Sequence, residues 1–235
     1  MRPYFEKIVI VGVFSVAMGF LEAVVVVYLR QIYYPGGFSF PLSPIEPKIL
    51  NIELIRELTT LVILLCTGLL AGRSKNEKFA WFLFAFGMWD IIYYVGLKLF
   101  LGWPASLLTW DILFLIPVTW IGPVLAPVIC ALTMIFFSFV VFHYTARDQQ
   151  VRIDKLSWLL IVVGALIIFI SFTEDYTTLM IRSGYFDHEG KLSVSGLNSI
   201  FYSFVPEKFN WWLFAVGELF IIGGTMKIIA GKVRR

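Results

Sequence analysis

Four carboxylates, Glu22, Asp90, Asp111 and Glu218, lie in stretches that are otherwise apolar enough to be buried in lipid. An ionisable group at membrane depth costs about 2.5–3.5 kcal/mol on insertion scales, so it is normally paired, protonated or turned toward water, and it marks a functional site by default. The chemistry open to such a set is that of acids and bases. A protonated carboxyl can deliver a proton, and an ionised one can accept a proton or hold a cation. Asp90 is the deepest of the four, and Tyr93 and Tyr94 follow one turn later as hydrogen-bond donors.

Further groups are expected near these four. Glu53 and Glu57 are spaced i,i+4 and share a helix face, with Arg56 adjacent to both. Arg56 is expected to pair with one of them, and Arg30 to reach past Tyr28 toward Glu22. Trp89-Asp90-Ile91 is echoed by Trp110-Asp111-Ile112, which adds Trp89 and Trp110 to the candidate binding residues.

Several chemistries are excluded. His143 is expected at the cytoplasmic end of the fourth span and His188 in an outer turn, so the only two histidines cannot share a site and no three-histidine metal site or bis-histidine haem can form. No metalloprotease, nucleophile-elbow or phosphate-loop motif is present. Cys66 and Cys130 lie in apolar stretches without ligand spacing and read as inert thiols. Ser106 has no base beside it in sequence and reads as a helix N-cap. No cofactor is expected, although a carboxylate-held divalent cation such as Mg²⁺ or Ca²⁺ is compatible with the groups present.

The elements that must position these groups are set by composition. Of the 235 residues, 59% are hydrophobic and only 15% charged, with mean hydropathy +0.84. A soluble domain has about 25% charged residues. The apolar residues run in long blocks, so the expected fold is an all-α, polytopic bundle forming one transmembrane domain over residues 1–235. Spans are predicted at Ile8–Tyr28, Leu54–Ala71, Phe79–Leu99, Gly122–Phe142, Leu156–Tyr176 and Trp211–Ile229. The first is too long for the apolar core of a cleaved signal peptide.

Between the third and fourth spans, Trp103–Trp120 is apolar but bounded by Pro104 and Pro117. A helix over Ala105–Ile116 would reach only about 18 Å, too short to cross a core of about 30 Å. It is therefore predicted to be a re-entrant half-helix, about 104–117. Counted that way, 12 of the 19 basic residues fall on the side of the N-terminus, which the positive-inside rule makes cytoplasmic. Both termini are then cytoplasmic and the host is the inner membrane.

The loops carry less information. Residues 30–50 are rich in glycine and proline and read as an irregular cap, while 185–192 reads as strand, turn, strand. Trp103, Trp110, Trp120, Trp211 and Trp212 read as an interfacial belt. Gly68-x-x-x-Gly72 and the glycines of the last span read as close helix packing.

On this topology every candidate carboxylate falls in the outer half of the membrane or at its middle. One outward-facing, carboxylate-lined cavity is the simplest account. The first expectation for it is proton- or cation-linked transport of a small solute; the alternative is acid–base catalysis by a membrane-embedded enzyme on a lipid or isoprenoid substrate. A third reading is an accessory subunit of a larger membrane complex. Membrane lipids and a small solute or lipid-like substrate are the expected partners, with a homo-oligomer or larger assembly open. Nucleic acid is not expected, because no basic stripe accumulates on any face.

Overall fold

The computed structural model describes residues 2–147, 153–182 and 202–233. The described chain runs α1 (Arg2–Tyr33), α2 (Pro47–Ala71), α3 (Lys75–Leu101), β1 (Trp110–Phe114), β2 (Trp120–Pro123), α4 (Leu125–Thr145), α5 (Lys155–Arg182) and α6 (Trp211–Val233). All six helices are long and apolar enough to cross a membrane. The protein is thus an all-α, multi-pass membrane bundle, with one short two-stranded hairpin inserted before α4. The turn predicted over 185–192 lies outside the described residues.

Local chemistry accounts for the helix limits. Pro47 opens α2, where its missing N–H is no loss. Ser74 caps α3 by accepting the Glu77 amide at 3.2 Å, while the Glu77 carboxylate reaches back to the Arg73 amide at 3.0 Å. Gly102 ends α3 in the left-handed region at φ 67°, its amide donating to the Lys98 carbonyl at 3.1 Å.

The half-helix predicted over 104–117 does not form. Residues 105–108 make a tight turn and 110–114 form a strand, paired antiparallel with 120–123. Pro104, Pro117 and Pro123 each bias the preceding residue away from helical angles. The segment between them is rich in aromatic and β-branched residues, which suit a pleated strand. Ser106 accordingly caps no helix: its hydroxyl accepts the Leu108 amide at 3.2 Å within the turn. The fourth span starts later than expected, because Gly122 and Pro123 belong to β2.

Register decides what the hairpin presents. Asp111 faces Gly122 and Trp110 faces Pro123, and neighbouring strand residues point to opposite sides. Backbone groups left over by so short a ladder find partners nearby. The Val124 amide donates to the Thr109 carbonyl at 3.0 Å and the Leu125 amide to Leu107 at 2.7 Å.

Two layers of packing hold the bundle. At the end carrying the start of α1 and the α2–α3 turn, an aromatic core gathers Trp81, Phe84, Phe137 and Phe142, with Trp81 and Phe142 ring centroids 4.1 Å apart. Toward the other end, α1 and α3 touch closely through small residues. A Cβ on Gly96 would lie 2.6 Å from the Ala23 Cβ. The α5–α6 pair does the same through Gly164 and Gly217, as the glycine pattern of the last span suggested.

Candidate functional site

The α1–α3 contact sets where the carboxylates meet. With α1 pressed onto α3, Glu22 of α1, Glu53 and Glu57 of α2, Asp90 of α3 and Asp111 of β1 all line one cavity of about 140 Å³. Arg30, Arg56, Trp89, Tyr93 and Tyr94 line it as well. That is room for several waters or a small polar group. The loop between α1 and α2 covers it, contributing Phe38, Leu42 and Ile45 to the wall.

One of the expected ion pairs forms, Arg56 with Glu53, and the other does not. Arg30 pairs with Asp111 rather than Glu22, Nη2 to Oδ1 at 2.8 Å, both side chains being buried. Its guanidinium lies 3.7 Å from the centroid of the Trp103 ring and 4.3 Å from that of Phe38. The two rings stand at 86° to each other, and such an aromatic corner suits a delocalised, weakly hydrated cation in a dry setting. Arg56 bridges two carboxylates, Glu53 at 2.8 Å from Nε and Glu22 through Nη1. Thr60 completes Glu22 by donating to Oε2 at 3.1 Å. Glu57 takes no arginine; it accepts the Leu115 amide of the hairpin at 2.9 and 3.2 Å. This bond closes a backbone donor that the short ladder leaves open.

Asp90 stands apart from these pairs. Among the described residues no hydrogen bond or ion pair ties its carboxyl down, although it is 9% exposed. Asp111 lies within electrostatic reach of it.

Glu218 is not in this cavity. It lines a second one, of about 360 Å³, walled by apolar and aromatic side chains of α2, α3, the hairpin, α4, α5 and α6. There its Oε2 accepts from Thr133 of α4 at 2.7 Å. The single outward cavity expected from the sequence is therefore two adjoining spaces, one charged and one apolar. Asp90, Leu113 and Phe114 belong to the walls of both.

Trp110 is also displaced from its expected place. The strand alternation that turns Asp111 into the charged cavity sends Trp110 the other way, against Phe209 with ring centroids 6.3 Å apart. Of the tryptophans expected in a belt, Trp212 is 86% exposed, Trp103 covers Arg30 and Trp120 walls the apolar cavity.

Sequence reasoning left out Thr60, Thr133, the burial of Glu53 and the Phe38–Trp103 pair around Arg30. Only the Glu53–Arg56 spacing carried a local signal, i,i+3 on one helix. Among the described residues no three carboxylate, histidine or cysteine side chains are gathered as metal ligands. Comparison with known protein families, characterised proteins and solved structures finds nothing significantly similar to this chain.

Proposed function

We propose that this protein is a membrane-embedded enzyme that carries out carboxylate acid–base chemistry on an amphiphile, a lipid or an isoprenoid. The polar, reacting part of the substrate sits in the charged cavity and its chain lies in the apolar one. The observation that carries this reading is the position of Asp90, which walls both spaces and is held by no hydrogen bond or ion pair among the described residues. A carboxyl that serves only to join helices is tied to a partner helix, as Glu22 is to Thr60 and Arg56.

In this mechanism a protonated Asp90 gives its proton to a carbon of a double bond at the junction. Asp111 takes a proton back on Oδ2, the oxygen left without a hydrogen-bond partner by the pairing with Arg30. Arg30 positions Asp111 and keeps it ionised by its charge. Positive charge developing on the substrate meets the faces of Trp89 and Tyr93, stacked at 6.2 Å and 15°.

Proton- or cation-linked transport is less well supported. It requires a route to the far side, and that way leads into the aromatic core around Trp81 and Phe142, where Trp81, Phe137 and Val141 are at most 2% exposed. An enzyme requires access from one side alone.

The reading is tested with protein in vesicles made from a total bacterial lipid extract, incubated in D₂O and followed by lipid mass spectrometry. The expected result is carbon-bound deuterium in one lipid class with the native protein and none with Asp90→Asn. If no class takes up label, the enzymatic reading falls. Asp90-dependent proton flux in the same vesicles, reported by an entrapped pH dye, would put transport in its place.

A further inference from the structure

Glu218 has no part in the proton chemistry above, yet it is a 6%-exposed carboxyl in the wall of an otherwise apolar cavity. Its Oε2 is satisfied by Thr133, while Oε1 has no hydrogen-bond partner. The Cys130 thiol, one turn before Thr133 on α4, lines the same cavity within hydrogen-bonding reach of the Glu218 carboxyl, but a thiol is a weak donor and leaves the acceptor open to a stronger one. Apart from Asp90, whose proton goes to the substrate, the remaining walls are apolar, and the Trp120 indole N–H is already given to the Ile116 carbonyl at 3.0 Å. A buried acceptor left open in this way is costly unless whatever fills the space supplies the missing donor. The volume, about 360 Å³, falls within the roughly 300–1,000 Å³ of small-molecule sites.

We infer that the apolar cavity takes a lipid chain carrying one hydroxyl, which donates to Glu218 Oε1 while the chain packs against the aromatic walls. The inference deepens the enzymatic reading by naming a substrate class, an aliphatic or isoprenoid alcohol or a hydroxylated chain. Because Asp90 and Glu218 both line this cavity from different helices, the hydroxyl would set how far along the chain the reacting group stands from its anchor.

The test uses two brominated probes of equal length, 12-bromo-1-dodecanol and 1-bromododecane, added to the full-length protein in phosphatidylcholine nanodiscs. Bromine quenches tryptophan fluorescence at short range, and Trp120 stands in the cavity wall. The alcohol is expected to half-saturate quenching at about tenfold lower concentration than the alkane, the worth of one hydrogen bond to a buried carboxyl. Trp120→Phe should remove the saturable component. Glu218→Leu, an apolar replacement in an apolar wall, should fold and bring the two probes to equal affinity. Glu218→Gln, which keeps an acceptor oxygen, should retain a preference of a few-fold. Equal affinities in the native protein, or a preference that survives Glu218→Leu, would overturn the inference. The alcohol preference is expected to persist in Asp90→Asn, so this result and the deuterium experiment can fail separately.

Discussion

Arg30 and Asp111 are 81 residues apart in sequence, and the structure joins them by a 2.8 Å charge-assisted hydrogen bond with both side chains buried. The bond fastens the hairpin to the end of α1. It also decides which oxygen of Asp111 is left for chemistry.

Removing one partner of this pair is expected to cost more than removing both. Asp111→Ala leaves a buried guanidinium without its counter-ion and should lower stability by about 3–5 kcal/mol. Replacing both groups, Arg30→Met with Asp111→Leu, should recover most of that loss. Thermal unfolding of the purified protein in detergent measures both, and a double variant as unstable as the single one would refute the pairing.

Asp90→Asn should behave in the opposite way. The carboxyl has no partner to lose, and the near-isosteric amide is as neutral as the protonated acid, so stability should hold to within roughly 1 kcal/mol. Activity should vanish at the same time. A Tm that drops as far as that of Asp111→Ala would mean that Asp90 is a structural tie.

The α1–α3 contact can be probed without touching a charge. Gly96→Leu forces a side chain into the space held by Ala23 and Phe20, and overpacking of this kind costs about 1–3 kcal/mol. Separating the helices also draws Glu22 away from the Asp90 wall, so the deuterium signal should fall together with Tm. Gly223→Leu is the control, since nothing lies within 4 Å of a Cβ there.

Acid sensitivity should have a component at the opposite end of the bundle. Asp154 accepts from Lys227 Nζ at 2.6 Å and from the Ser157 amide at 2.9 Å, and these bonds hold its carboxyl down to about 2. An unfolded aspartate titrates near about 3.9. The folded value is the lower one, so the pair's contribution is complete above about pH 4 and disappears as pH falls toward 2. The Tm difference between the native protein and Asp154→Asn should therefore be constant at neutral pH and close in acid. A gap that stays open down to pH 2 would contradict the assignment.

Much of the architecture was legible in advance. Six apolar blocks of the required length predicted six spanning helices, and Gly217, Gly223 and Gly224 predicted close packing, which α5 and α6 display at Gly217 and Gly224 but not at Gly223, where a Cβ would meet nothing within 4 Å. The hairpin was missed because length was weighed above proline placement. Twelve apolar residues too short to span suit a short helix by length, whereas Pro104, Pro117 and Pro123 and the β-branched composition favour a strand pair. That error also misplaced Trp110, because a strand sends neighbours to opposite faces where a helix turns them by only about 100°.

Residue types and their order determined that this chain is a membrane bundle and that carboxylates are its reactive inventory, since the cost of burying charge and the span of a bilayer can be counted along a sequence. Apart from Arg56 and Glu53, three residues apart on one helix, which carboxylate meets which cation could not be counted, because those partners lie on different elements and their distances depend on packing and register. Only the tertiary structure put Arg30 on Asp111, gave Glu57 to the hairpin backbone, moved Glu218 into an apolar space of its own and left Asp90 untied between the two cavities.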